Sequence, residues 1–372
     1  MSVKSKIINL IELVDKGKYS NIILNQTFKE VSFLQKEKAF ITEVFYGVLR
    51  NKMFLDYVIN RKVKSIKKDW IKNLLRISIY QITYMESDNK GVVWEAAELS
   101  KKKFGVTIGN FVNGVLRSYI RDMNTIIDEL KVSNEALYLS YPQWFYDRIK
   151  SKYGENYLDI LKYLKKKPHL SIRVNKLKYN EEELNKFLLK NDIKILKKVD
   201  SVYYVENGNV IHTDEFKEGK IVIQDASSYL AAKNLGLVKG DTVLDTCSAP
   251  GGKLLVMAEI MENTGEITAL DIYPHKIKII EENCRISGVN NVKVAKLDAR
   301  KINMQGKKFN KILVDVPCSG YGVISKKPES LYTKKPENIE ELSLLQYSIL
   351  EAASDVLADN GEMIYSTCTI LE

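Results

Sequence analysis

The sequence predicts an α/β protein: a parallel sheet with helices on both faces over the last third of the chain, preceded by an all-helical region and a small α+β region. Three observations carry this. Apolar runs alternate with amphipathic helices from residue 241 onward. Before about residue 135, no strand alternation interrupts the helical spacing. The stretch between mixes helix signals with short apolar runs. At 372 residues the chain is too long for one core, and it divides into three regions, 1–135, 136–235 and 236–372.

In the first region, KAFITEVFYGVLRNKMFLDYVI (38–59) places Phe40, Ile41, Val44, Phe45, Val48 and Leu49 at helical spacing. DWIKNLLRISIYQITYM (69–85) opens on Asp69, the expected N-cap, and sets Ile71, Leu74, Leu75 and Ile82 along one stripe. GVVWEAAELSKKKFG and GNFVNGVLRSYIRDM supply two more helices. The apolar stripes are core packing. The functional candidates are the polar residues Arg61, Lys62, Lys64, Lys67, Lys68 and Lys101 to Lys103, with a solvated face as the alternative use of each.

In the second region, SNEALYLSYPQWFYDRIKSKYG carries helix signals with an S-Y-P break. The lysine run KYLKKKPHLSIRVNKLKYN then leads into the short apolar runs KILKKV, SVYYVE, NVI and KIVIQ, a small α+β arrangement. Lys165, Lys166 and Lys167 lie close in sequence to Arg173 and Asn175 of SIRVN. This grouping predicts a face for phosphate backbone, against the alternative of a solvated helix end.

In the third region the expected strands are TVLDTC (242–247), EITALDI (266–272), VKVAKLDA (292–299), KILVDVPC (311–318) and EMIYSTCT (362–369). Helices fall between them, the last over 337–357. Such runs read as parallel strands covered on both faces, with ligands bound beyond their carboxyl ends. Those ends carry Asp245, Asp271, Asp298, Asp315, Cys318 and Cys368.

The loop DTCSAPGGK follows the first strand and opens a helix. Gly251 and Gly252 let the backbone approach a ligand, and a helix N-terminus favours an anionic group. The loop is neither G-x-G-x-x-G nor the G-x-x-x-x-G-K-[ST] phosphate loop, which disfavours a dinucleotide or ATP. Asp271 stands where a ribose diol is gripped, and Asp298 could accept from an adenine amino group. Together these suit S-adenosylmethionine, although each aspartate alone could be a cap or turn residue. The expected cofactor-binding set is Cys247, Ser248, Ala249, Pro250, Gly251, Gly252, Lys253, Asp271, Asp298 and Asp315.

Bulk properties narrow the class. No apolar run approaches the roughly 20 residues of a membrane span. The opening MSVKSKIINLIELVDKG lacks the apolar core and cleavage site of a signal peptide, so the expected location is cytoplasmic. The four cysteines, 247, 284, 318 and 368, form no C-x-x-C pair, which argues against zinc and against a disulfide framework. The net charge of +10 divides as +8 over residues 1–140, +6 over 141–240 and −4 over 241–372. Basic surface of this kind is what a polyphosphate partner needs. Cys247 reads as a small residue packed in the loop's lead-in and Cys284 as a helix-face core residue. Cys318 in DVPCSGYG and Cys368 in STCT sit at successive strand tips beside the methyl-donor site.

The motifs DTCSAPGGK, LDI, KLDA, DVPCSG and STCT, in that order, resemble those of the RNA cytosine-5 methyltransferases of the Sun/Fmu type. ITEVFYGVLRNK, WEAAELSKK and FVNGVLR resemble an N-terminal NusB-like RNA-binding domain. YPQWFYDRIKSKYG, RVN and VIQDASSYLAA look like the family's linking region. The likeness covers essentially the whole chain. It implies a Rossmann-like class I methyltransferase domain behind a NusB-like domain, S-adenosylmethionine as cofactor and 16S rRNA as substrate. The expected chain is a monomer with no metal and no membrane partner.

The chemistry explains why two thiols are wanted. Carbon 5 of cytosine is a poor nucleophile until a thiolate adds to carbon 6. A free thiol has a pKa of about 8.5, so the site must favour thiolate. After transfer, a base must take the carbon 5 proton before the enzyme thiol leaves. Asp315 is placed to stabilise the adduct or to serve the cofactor. The residues alone do not decide which cysteine attacks. The resemblance assigns attack to Cys368 and release to Cys318. DNA cytosine methyltransferases instead attack with a P-C cysteine and carry an E-N-V motif, which this sequence lacks.

Two departures from the family pattern stand out. Where the family writes G-V-x-R-R-x-P-D, this chain has GVISKKPES, with Lys326 and Lys327 for the arginines and Glu329 for the aspartate. Charge survives, but the bidentate fork does not. The sequence also stops at ILE, where the family continues with a helix and two strands. That implies a truncated sheet with Met363, Ile364 and Tyr365 on an exposed edge strand. The competing expectation is therefore an RNA-binding protein whose truncated methyltransferase domain is inactive. A small-molecule or protein methyltransferase is a third class, and it leaves the two cysteines unexplained.

Overall fold

A buried helix organises the first part of the chain. In the computed structural model, which describes residues 2–206, 210–302 and 306–371, almost every residue of this helix from Trp70 to Ile82 is buried. Counts of elements refer to the described residues. The helices are α1 (Val3–Asp15), α2 (Ser20–Glu30), α3 (Gln35–Arg50), α4 (Lys52–Lys62), α5 (Asp69–Tyr84), α6 (Asn89–Phe104), α7 (Val106–Ser133), α8 (Glu135–Tyr138), α9 (Gln143–Tyr153) and α10 (Tyr157–Lys165). Helices α1, α3, α4, α6 and α7 pack around α5, burying Ile7, Phe45, Leu74 and Tyr119 among others. Each such aliphatic or aromatic side chain contributes about 1.5–3 kcal/mol of apolar transfer energy. Arg76 is tolerated in this core because Asp56 takes its Nε and Nη2 at 2.7 Å each and Asn73 accepts Nη1 at 2.7 Å.

The single helix expected over 38–59 is two. Asn51 breaks it, with its Nδ2 donating to the Gly47 carbonyl at 2.9 Å as α3 ends. At Gly47 a Cβ would fall 2.0 Å from the Tyr80 ring, so α3 and α5 touch through a residue with no side chain. Asp69 is the first residue of α5 and makes no capping hydrogen bond; Lys68 holds the N-cap position.

By contacts the chain forms two units. The helical unit runs to Lys167 and also includes Gly320–Pro336 and the residues from Thr369. The stretch that follows Cys318 in sequence thus packs with the helices. Tyr321 is fully buried against Trp144 and Phe145, ring centroids 5.6 and 4.9 Å away. Arg50 Nη2 donates to the Ser325 carbonyl at 3.1 Å, and the Tyr332 hydroxyl donates to the Leu49 carbonyl. Glu329 is buried. It accepts from the Ser20 amide at 3.0 Å and from Ser20 Oγ at 2.8 Å. Helix α2 has no side-chain cap of its own, so Glu329 satisfies an orphan first-turn amide and sets a negative charge at the positive end of the helix. Glu329→Ala should destabilise the helical unit by about 1–3 kcal/mol, as a buried amide and hydroxyl lose their acceptor. Urea denaturation checks this, and an unchanged midpoint would remove the capping role.

The second unit holds two sheets. Strands β1 (Leu170–Val174), β2 (Lys194–Val199), β3 (Val202–Glu206) and β4 (Ile221–Ile223) form an antiparallel sheet in the order β2-β3-β1-β4. It is accompanied by α11 (Glu181–Lys190), α12 (Asp214–Lys217) and α13 (Ala226–Lys233). The run NVI begins at Asn209, outside the described residues; Val210–His212 is a 3-10 turn. The remaining strands are β5 (Thr242–Asp245), β6 (Glu266–Asp271), β7 (Val292–Lys296), β8 (Phe309–Asp315) and β9 (Leu357–Ser366). They alternate with α14 (Gly252–Ile260), α15 (Pro274–Ser287), the short α16 (Ser330–Thr333) of the helical unit, and α17 (Pro336–Ser354). All five pair in parallel in the order β7-β6-β5-β8-β9. The order reverses between β5 and β8, and the carboxyl ends at that switch point are where ligands bind in such sheets. β9 is the terminal strand of the order. Its Met363 and Ile364 pack against the core, while Tyr365 is exposed.

Candidate active site

Because the sheet is parallel, the strand ends named from sequence all lie at one edge. The loop after β5 runs beneath the switch point: Thr246 N donates to the Leu313 carbonyl at 3.1 Å and Ser248 N to the Leu270 carbonyl at 2.8 Å. Gly251 takes φ +105°, which an L side chain adopts only under strain, and so turns the chain into α14. The Ala249–Pro250 peptide is cis. Asp245 is fully buried, and among the described residues neither of its carboxylate oxygens has a partner at hydrogen-bond geometry; nor does the buried Ser248 Oγ. Burial pushes the Asp245 carboxyl up to about 7, against a smaller pull from the adjacent Ser248. Unsatisfied buried polar atoms at a strand end call for a polar ligand.

Asp315 ends β8 in a network. Its Oδ2 accepts from Lys253 Nζ at 2.6 Å and its Oδ1 from Ser366 Oγ at 2.6 Å, so α14 and β9 both hold it. The two tips are in register, Asp315 opposite Ser366, with Val316 N donating to the Ser366 carbonyl at 3.2 Å. This pairing brings the cysteines together across 50 residues: the Cys368 amide donates to Cys318 Sγ at 3.3 Å. Gln346, on α17, steadies the Cys318 loop. Its Nε2 donates to the Pro317 carbonyl at 2.7 Å, and its Oε1 accepts from the Tyr365 hydroxyl at 3.0 Å. Gln346 carried no sequence signal, being one amide among many, and Ser366 was legible only as the first residue of STCT, with no role attached to its hydroxyl.

The other two cysteines are chemically quiet. Burial, with Asp245 nearby, pushes Cys247 up to about 12, and burial raises Cys284 to about 11. Both stay protonated at neutral pH. Cys368 is exposed and Cys318 half-buried.

The outer aspartates take turn roles. Asp271 is buried; its Oδ1 accepts from Tyr273 N at 3.0 Å and its Oδ2 meets Lys276 at 3.4 Å. Asp298 is gripped by Arg300, whose amide and guanidinium donate to both oxygens at 2.6–3.2 Å and hold the carboxyl below its usual range.

Of the residues named for the expected phosphate face, Lys166 and Lys167 are exposed, while the others are not. Arg173 and Asn175 are fully buried. Arg173 Nη1 donates to both oxygens of Glu259, 2.6 and 2.7 Å away, and Asn175 Nδ2 donates to the Gly219 and Ser287 carbonyls at 2.7 and 2.8 Å. Lys165 is half-buried, donates to Asn51 Oδ1 at 3.1 Å and lies over the Tyr141 ring, while burial pulls its amine down to about 7. Lys167 pairs with Glu43 at 3.4 Å. Among the helical candidates, Arg61 pairs with Glu129 and Lys62 with Asp122. Lys68 and Lys103 converge on Phe104, 4.9 and 5.7 Å from its centroid.

Comparison with known proteins adds three matches along the chain. Residues 232–372 match the family described as 16S rRNA methyltransferase RsmB/F, residues 2–121 the NusB family, and residues 141–203 the ferredoxin-like domain of RsmF/B-like methyltransferases. The probable ribosomal RNA small subunit methyltransferase B of Bacillus subtilis (strain 168) is 35% identical over 97% of this chain and 83% of its own length. The ribosomal RNA small subunit methyltransferase B of Photorhabdus laumondii is 28% identical over 100% of this chain and 86% of its own. Among solved structures, PH0851 superposes with a TM-score of 0.82 at 27% identity, covering 100% of this chain and 87% of that one. NSun6 from Pyrococcus horikoshii, solved with SFG, gives a TM-score of 0.56 at 25% identity over 62% of this chain and 83% of its own.

Proposed function

The chain belongs to the 16S rRNA methyltransferase RsmB/F family, and from that premise we propose that it methylates carbon 5 of a cytosine in 16S rRNA, using S-adenosylmethionine and a covalent Cys368 adduct that Cys318 helps to release. The observation that carries this reading is the placement of two cysteines side by side at adjacent strand tips, with the Cys368 amide donating to Cys318 Sγ at 3.3 Å. One-thiol chemistry gives no reason for such a pair.

The residues at the switch point fit the cofactor. The buried Asp245 carboxylate, without a hydrogen-bond partner among the described residues, suits a cationic amino-acid end, and Ser248 Oγ offers a second polar contact. The loop from Cys247 to Lys253 presents backbone at the start of α14, and Asp271 stands at the end of β6 for the ribose hydroxyls. Asp298 can serve the adenine edge only by sharing its Arg300 contacts. When bound, the cofactor supplies an electrophilic methyl group.

The protein's own part is acid–base and nucleophilic. Cys368 Sγ, as thiolate, bonds to carbon 6, and the displaced π electrons make carbon 5 the nucleophile. Asp315, held by Lys253 and Ser366, is at hand for the pyrimidine edge. Once carbon 5 carries the methyl group, Cys318 takes its proton. The double bond re-forms and the Cys368 thiolate leaves.

RNA carrying 5-fluorocytosine at the target tests the reading. Fluorine cannot leave as a proton does, so the adduct should persist through denaturing electrophoresis and map to Cys368 by mass spectrometry. No adduct, with methylation of normal RNA intact, would exclude covalent catalysis. The Asp245 assignment predicts a pH dependence. A cation pairs with the ionised carboxylate, so cofactor affinity should rise with pH through about 7 and then level off. Calorimetry should find binding about tenfold weaker at pH 6 than at pH 8. A flat profile would remove Asp245 from the cofactor site.

A further inference from the structure

The fully buried Arg173 joins two ends of one helix. Its Nη1 donates to both oxygens of Glu259, next to the last residue of α14, and its Nε donates to Gln224 Oε1. Gln224 Nε2 in turn donates to the carbonyl of Gly252, the first residue of α14, at 3.0 Å. Lys176 N adds a third hydrogen bond to Glu259 at 3.3 Å. Arg173 lies on β1 and Gln224 directly follows β4, so the antiparallel sheet grips both ends of the helix that the glycine loop opens. A guanidinium only donates. Facing Gln224, it must meet the amide oxygen, and this turns the amide NH2 toward Gly252. The approach is close: a Cβ on Gly252 would stand 3.6 Å from Gln224 Nε2. All three side chains are at least nine-tenths buried, so water does not compete for these bonds.

We propose that Gln224 is a positioning residue for cofactor binding: oriented by Arg173, it holds the Gly252 carbonyl and so sets the glycine loop in its binding geometry before any ligand arrives. The small α+β region is thereby part of the cofactor site's support as well as a segment that links two domains. Asn175, directly after β1, reinforces the attachment by its bonds to the Gly219 and Ser287 carbonyls, the latter at the end of α15. The proposal rests on the S-adenosylmethionine reading above.

Gln224→Glu isolates the effect in the full-length protein. The carboxylate keeps an acceptor for Arg173 Nε and loses the donor to Gly252, where an oxygen now faces a carbonyl. Calorimetry with S-adenosylmethionine should give a Kd about tenfold higher, the size of one lost hydrogen bond plus the repulsion that replaces it. The KM for the cofactor should rise with kcat at saturation within about twofold, as expected when binding rather than the chemical step is affected. Hydrogen exchange without cofactor should show the amides of residues 251–256 exchanging several-fold faster, with β8 unchanged. Wild-type affinity in Gln224→Glu overturns the proposal, whether or not exchange accelerates; so does unchanged exchange across 251–256. If the unmodified protein binds no S-adenosylmethionine, the cofactor reading itself has failed, and the exchange arm still decides whether the clamp exists.

Discussion

Cys368→Ala is expected to abolish methyl transfer, a loss on the order of 10⁴-fold or more, and with it every covalent RNA adduct. Cys318→Ala should leave attack possible and slow release, so that a denaturation-resistant protein–RNA complex accumulates with unmodified RNA. The asymmetry follows from geometry and chemistry together. Cys368 is the exposed residue of the two, while the half-buried Cys318 accepts the Cys368 amide on its sulfur. Tritium transfer and denaturing gels on the two variants check this. Adducts formed by Cys368→Ala but not by Cys318→Ala would reverse the two roles.

Arg173→Met should cost the second unit about 3–5 kcal/mol, because it leaves the Glu259 carboxylate buried without its cation. The same change also strips Gln224 of the donor that orients it. A pH dependence distinguishes this from a simple packing loss. Burial already holds the Glu259 carboxyl above its usual range, against the pull of Arg173. Without Arg173 that upward push is largely unopposed, so the folded state binds the proton more tightly than the unfolded chain. Stability then falls as pH rises from the unfolded carboxyl value of about 4.3. The deficit relative to the parent protein should be smallest near pH 5 and largest near pH 8 in urea titrations. A deficit independent of pH would mean that Glu259 is not the group left unpaired.

Much of the site was legible because strand ends announce themselves locally. A buried strand needs an apolar run, and the first polar residue after it must reach the sheet edge. Asp245, Asp315, Cys318 and Cys368 could therefore be placed from spacing. What spacing could not show is the state of each group. Cys247 and Cys368 are both cysteines near strand ends, yet burial keeps the first a thiol while the second is exposed. The basic residues misled for the same reason. Of Lys165, Lys166, Lys167, Arg173 and Asn175, grouped as a phosphate face, Arg173, Asn175 and Lys165 make their contacts with protein, while Lys166 and Lys167 are exposed.

The sequence by itself therefore determined the order of helices and strands, the parallel sheet, and the two thiols at neighbouring tips, since periodicity and motif order are properties of neighbours along the chain. Only the tertiary structure decided which charged groups face water and which serve as internal ties. The partner that settles each case arrives from far away: Glu259 lies 86 residues from Arg173, and Glu329 lies 309 residues from Ser20. A charge shows its sign in sequence. Its burial depends on the counter-group that folding brings beside it, because an unpaired buried ion is too costly to persist.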